Sequence, residues 1–147
     1  MNAVAADTAA TLTISRHFDA PPERVFEAWL DPEQISRWMG PRGVRAEAEQ
    51  LDARVGGAYA ITMHKPDNTT ARVSGTYKEI KRHSRLAFTW SWLEETQETL
   101  VTLTFKPVGN GTDMTLQHTG FTNAERRDQH NFGWNGSLDK LAEALAG

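Results

Sequence analysis

RLAFTWSWLEETQETLVTLTFKPVGNGTDMTLQH, running from Arg85 to His118, is the stretch whose reading decides the architecture. Two turn signals divide it. Leu93-Glu94-Glu95-Thr96 is the first, and Gly109-Asn110-Gly111, with the strong hairpin pair Asn-Gly, is the second. Pairing Trp92 with Gln97 across the first turn sets Trp90 against Thr99 and Phe88 against Val101. Pairing Leu103 with Met114 across the second sets Val101 against Leu116 and Thr99 against His118. Side chains directly opposite each other in an antiparallel pair share a face. One face therefore collects Phe88, Trp90, Trp92, Val101, Leu103, Met114, Leu116 and His118. The other collects Thr89, Ser91, Thr102, Thr104, Thr115 and Gln117, with Leu100 as the exception.

Working upstream, Val44 to Leu51, Ala58 to His64 and Thr70 to Ile80 read as three more strands, separated by Gly56-Gly57 and Pro66-Asp67-Asn68. With Arg85 to Trp92, Gln97 to Lys106 and Thr112 to His118 they make six consecutive strands with short connections, for which an antiparallel meander is the economical topology. A seventh strand comes first in the chain, where Leu12, Ile14 and Phe18 alternate with polar neighbours. Between it and the meander the period becomes helical. Pro21 and Pro22 suit a helix entrance, and Val25, Phe26, Trp29 and Leu30 lie on one stripe of a helix over Asp19 to Leu30. Asp31 caps a second short helix, with Gln34 completing a capping-box pattern, and Gly40-Pro41 ends it.

Downstream, Thr122 and Glu125 form another capping-box pattern ahead of a helix over Asn123 to Ala146. Trp134, Leu138, Leu141 and Leu145 run along its apolar stripe. At 1.5 Å per residue it is about 36 Å long, enough to cross the sheet, and no other element is long enough to cover the apolar face. Gly133 and Gly136 interrupt the stripe, each costing about 1 kcal/mol against alanine. They either admit a close approach by a strand or leave room for a guest. The reading is thus an α+β domain: a seven-stranded curved antiparallel sheet wrapped around a long C-terminal helix, with two short helices after the first strand and a hollow between sheet and helix.

The 147 residues suit one domain, assigned to 11–147, with 1–10 read as a flexible lead-in. Such a chain buries roughly 70% of its unfolded surface. The absence of cysteine excludes disulfides and thiolate metal sites and is compatible with a reducing cytoplasm, the expected location. Met1 to Ala10 lacks the pattern of a secretory signal, and no apolar run reaches membrane-spanning length. A net charge of −3 argues against a nucleic-acid footprint, and the basic run Lys78 to Arg85 reads as a solvated strand end. The five histidines are scattered without metal-site spacing, and no nucleophile motif, phosphate loop or redox pair appears. No cofactor or metal is expected, and no catalytic constellation is recognisable.

The series APPERVFEAWLDPEQISRWMGP (Ala20 to Pro41), VGGAYAITM (Val55 to Met63), GTYKEI (Gly75 to Ile80), RLAFTWSW (Arg85 to Trp92), TLVTLTF (Thr99 to Phe105), LQHTGF (Leu116 to Phe121) and HNFGWNGSLDKL (His130 to Leu141) resembles the START-like superfamily. Within that superfamily it is similar to the family named after the activator of the heat-shock protein 90 ATPase. The resemblance implies a helix-grip fold. Members of the superfamily hold sterols, lipids, polyketides, flavonoids or plant hormones between sheet and helix, and some are enzymes. The eukaryotic activator has an additional N-terminal domain that carries much of its chaperone contact; the 147 residues are expected to leave no room for one, so chaperone activation is not the expected role.

The expected function is binding of a hydrophobic small molecule, lipid-like or aromatic. The walls are assigned to Trp90, Trp92, Val101, Leu103, Met114 and Trp134, since aromatic rings offer large apolar area with few rotamers. Tyr77 and Trp38 are placed towards the rim. His118 and His130 are polar anchors, or, in the rival reading of a cyclase or hydrolase, one of them is a general base. A second rival is a chaperone-cofactor module. The oligomeric state is open between monomer and homodimer.

Overall fold

The computed structural model describes residues 11–146; the lead-in expected over 1–10 lies outside the described residues. The elements are β1 (Thr11–Phe18), α1 (Pro22–Glu27), α2 (Pro32–Trp38), β2 (Arg45–Leu51), β3 (Ala58–His64), β4 (Thr70–Lys81), β5 (Arg85–Trp92), β6 (Thr99–Val108), β7 (Gly111–Thr119) and α3 (Ala124–Ala146). The strand order is β1-β7-β6-β5-β4-β3-β2, every neighbouring pair antiparallel. The meander is therefore present, and β1 returns to its far side beside β7. This is the helix-grip architecture expected from the sequence.

The first hairpin has the expected register, Phe88 opposite Val101 and Trp90 opposite Thr99. The second differs from expectation by two residues. Leu103 faces Leu116 and Val101 faces His118, because the turn is the two residues Gly109-Asn110 and Val108 pairs with Gly111. Gly109 has φ +60°, the left-handed backbone that a two-residue hairpin turn assigns to its first central position. A shift of two preserves the alternation of faces. Phe88, Trp90, Val101, Leu103, Met114, Leu116 and His118 are accordingly all buried, with Trp92 half-buried.

The helix entrances differ in detail. Pro21 is extended at the N-terminus of α1, and the residue before a proline is pushed out of the helical region, as Asp31 is before Pro32. The first helix is thus shorter than Asp19 to Leu30, and Trp29 and Leu30 are buried from a turn. Asp31 accepts from the Glu33 amide at 3.0 Å, but Gln34 donates to the Asp31 carboxylate instead of reaching the cap backbone. Asn123, not Thr122, caps α3, accepting from the Arg126 amide at 2.8 Å.

Bulges curve the sheet: the register slips between Ala48 and Gln50 in β2 and between Tyr77 and Glu79 in β4. At Gly75 strands β4 and β5 press together, and a Cβ there would lie 2.0 Å from the Thr89 carbonyl oxygen. The same approach buries Thr89, although it sits on the polar face, and lets its hydroxyl accept from the Thr76 amide at 2.9 Å. Gly75→Ala is expected to lower the unfolding free energy by about 2–4 kcal/mol, because the clash is with backbone. Urea unfolding would show this as an earlier midpoint with an unchanged slope.

Candidate functional site

Helix α3 is tied down along its length. Arg16 of β1 reaches Asp139 at 2.6 Å and Asn135 at 3.2 Å. Arg42, in the loop after α2, pairs with Glu143, and Lys140 donates to the Val44 carbonyl at 3.2 Å. Nearer its N-terminus Arg126 grips both oxygens of Glu95, in the β5–β6 hairpin, at 2.8 and 3.0 Å. These ties hold the helix against β1, α2 and the hairpin tip. A half-open cleft of about 530 Å³ remains between α3, the ends of β3–β5 and the loop after α2.

The two glycines of α3 divide the roles expected of them. Gly136 allows a close approach, but by a loop and not a strand: a Cβ there would meet Pro41 at 3.1 Å. Gly133 has nothing within 4 Å of where its Cβ would be, and it lines the cleft. Its missing side chain is open space.

Four of the expected residues come together at the cleft: Trp90 and Trp92 from β5, and His130 and Trp134 from α3. The others do not line it. Val101, Leu103 and Met114 are fully buried in the core. Trp38, expected towards the rim, has no exposed surface; it packs edge-on against Trp29 at 4.6 Å and donates its indole N–H to the Ala28 carbonyl at 3.1 Å. Tyr77, also expected at the rim, is buried beside Tyr59 and Phe88. An inward-pointing side chain reaches the hollow only where α3 stands clear of the sheet, and these positions lie where the layers close. Met39, Met63 and Ser137 line the cleft and escaped the sequence reading. Ser137 stands three residues after Trp134, on the same helical stripe, and that spacing was the available signal.

His118 is fully buried, and its hydrogen bonds fix its tautomer. Trp134 donates its indole N–H to Nδ1 at 3.0 Å. Thr99 gives its hydroxyl proton to the Trp90 carbonyl at 3.0 Å, so the 2.7 Å contact between His118 Nε2 and Thr99 Oγ1 is an N–H donated by the histidine. The ring is neutral with no free lone pair. Burial, reinforced by nearby His130, pushes its pKa down to about 2. His130 repeats the arrangement: its Nδ1–H donates to the Arg126 carbonyl at 2.8 Å, and its Nε2 accepts the Trp92 indole N–H at 3.0 Å. Its pKa is also lowered, chiefly by burial. The two imidazoles meet edge-on with centres 5.2 Å apart, and Phe121 packs against both, 4.4 and 4.8 Å from their centres.

The indoles form a continuous series. Ring centres are 4.6 Å apart for Trp38 and Trp29, 5.8 Å for Trp29 and Trp134, 4.9 Å for Trp134 and Trp90, and 5.5 Å for Trp90 and Trp92. Three of these indole N–H groups have partners, on Ala28, His118 and His130. Those of Trp29 and Trp90 are buried without one, and of these two residues only Trp90 lines the cleft. Among the described residues no group of three or more His, Asp or Glu is placed to hold a metal ion, and no helix is long and apolar enough to cross a membrane.

A curved antiparallel sheet gripping one long helix, with an aromatic cleft between them, defines a START-like helix-grip protein. Residues 19–146 match the family described as Activator of Hsp90 ATPase homolog 1-like protein, and the chain belongs to that family. Among solved structures it is similar to a Chromobacterium violaceum protein, with 29% identity and a TM-score of 0.88 over 94% of this chain and 98% of that one. It is also similar to the AHSA1 protein of Silicibacter pomeroyi, with 32% identity and a TM-score of 0.83 over 93% and 98% of the two chains. No protein with a curated description matches it.

The buried neutral imidazole has a consequence for acid stability. Below pH 6.5 an unfolded chain protonates this histidine, whereas the folded chain holds it neutral down to about pH 2. The unfolded state then binds the extra proton, so stability falls as pH falls, by about 1.4 kcal/mol per pH unit from this group. Between pH 7 and pH 5 the wild type is expected to lose about 2 kcal/mol more than His118→Gln. Urea titrations at the two pH values measure the difference.

Proposed function

We propose that the protein binds a hydrophobic small molecule, lipid-like or aromatic, in the cleft between its sheet and α3. The observation that carries this reading is the open space at Gly133, facing a wall built from Trp90, Trp92 and Trp134. Aromatic side chains do not fill that space, and its volume of about 530 Å³ lies within the range of small-molecule sites, roughly 300–1,000 Å³. The family relationship supports it too, since this fold commonly holds hydrophobic ligands. A cysteine-free chain acting on such a molecule suits the reducing cytoplasm.

Binding without turnover fits the histidines better than catalysis does. A general base needs an unshared pair within hydrogen-bond reach of the substrate proton. The acceptor nitrogens of His118 and His130 are both occupied by indole N–H groups. The two imidazoles hold tryptophans in place, and His130 also contributes to the lining.

Filling the space at Gly133 tests the reading. Wild-type protein is expected to bind 1-anilinonaphthalene-8-sulfonate with quenching of tryptophan fluorescence, and Gly133→Leu to weaken that binding by about tenfold or more. Replacing glycine within a helix favours folding by up to about 1 kcal/mol, so the variant is expected to remain folded. Equal dye affinity in the two proteins would contradict the cleft as the binding site.

A further inference from the structure

His118 and His130 each accept an indole N–H, but only one of them stands where protons from solvent reach it. His118 is fully buried, whereas His130 is half-buried and lines the cleft. The Nδ1–H of His130 donates to the Arg126 carbonyl at 2.8 Å, and its Nε2 accepts the Trp92 indole N–H at 3.0 Å. The single lone pair on this ring that can take a proton is therefore the one that holds a wall of the cleft. Trp92 depends on that bond. It is the last residue of β5 and pairs with Val73 of β4, but on its other side the ladder to β6 stops at Trp90 and Thr99. A protonated ring would set one N–H against another, and the half-buried indole is free to turn towards water.

We infer that His130 is a positioning residue for the bound guest, and that its protonation releases Trp92 and weakens binding. The inference rests on the proposed binding function and adds a proton linkage to it. Three ionisable groups face the imidazole. Arg126, on its own helix, opposes a second positive charge, Glu95, on the β5–β6 hairpin, favours one, and His118 of β7 is neutral at 5.2 Å. Lys65, Arg72 and Glu94 also line the cleft. Burial is the largest influence and sets the direction, holding the His130 pKa below its ordinary 6.5. The ring is accordingly neutral at pH 7, and affinity is lost as pH falls below 6.5. Guest and proton compete, so a bound guest lowers the His130 pKa further by the same factor.

The neutral probe 2-acetylnaphthalene has no group that titrates in this range, so its affinity reports on the protein. Between pH 7.5 and pH 5 its dissociation constant for wild type is expected to rise about threefold or more. His130→Gln places an amide oxygen there that accepts a hydrogen bond and does not titrate, and this variant is expected to keep one affinity across the range. The other four histidines remain in it and do not account for a difference. If His130→Gln does not fold, nuclear magnetic resonance of wild type decides. The Trp92 indole N–H signal and the probe's affinity are expected to change with the same midpoint as the His130 ring. A wild-type affinity indifferent to pH, a folded variant with the wild-type pH dependence, or midpoints that differ would overturn the inference while the binding function stands. Failure of wild type to bind the probe at pH 7.5 removes the binding function and the inference together.

Discussion

One chain of hydrogen bonds sets the height of the long helix above the sheet. It runs from the Trp134 indole to His118, from His118 to the Thr99 hydroxyl, and from that hydroxyl to the Trp90 carbonyl. It joins α3 to β7, β6 and β5 in order, and every proton in it has one direction. Each member is buried, where a broken link would leave a polar group unpaired and a satisfied network specifies a single arrangement. The neutrality of His118 is part of the design, since a protonated imidazole would repel the indole N–H that anchors the helix.

The cleft follows from that constraint. With Trp134 fixed against the sheet, Gly133 stands over space that its missing side chain does not fill, and Gly136, one turn on, lets Pro41 close the far end. The second indole–imidazole pair, Trp92 with His130, and the grip of Arg126 on Glu95 hold the β5–β6 hairpin at the mouth. Leu93, on that hairpin, is largely exposed where it lines the opening. A tight layer and an open layer thus lie side by side under one helix.

Much of this was legible from the residues. The faces of β5, β6 and β7 followed from alternation alone, and they survived a two-residue error in the second hairpin because such a shift leaves every side chain on its original face. The long helix and its two suspicious glycines were likewise visible. What alternation cannot show is which inward-facing residues meet the helix and which meet the hollow. Val101, Leu103 and Met114 point inward as expected, and Trp38 and Tyr77, expected at the rim, point inward too, yet all five serve the closed core. The boundary is drawn by contacts distant in sequence, Arg16 with Asp139 and Arg42 with Glu143, for which no local pattern exists. The pairing of each cleft histidine with an indole was hidden for the same reason.

That a guest enters beside Gly133 among the cleft indoles is tested most directly by nuclear magnetic resonance of the five indole N–H groups. During titration with 2-acetylnaphthalene, the signals of Trp90, Trp92 and Trp134 are expected to move together, while that of Trp38, sealed against Ala28, stays in place. Movement confined to Trp38, or no movement in any indole, would contradict the account.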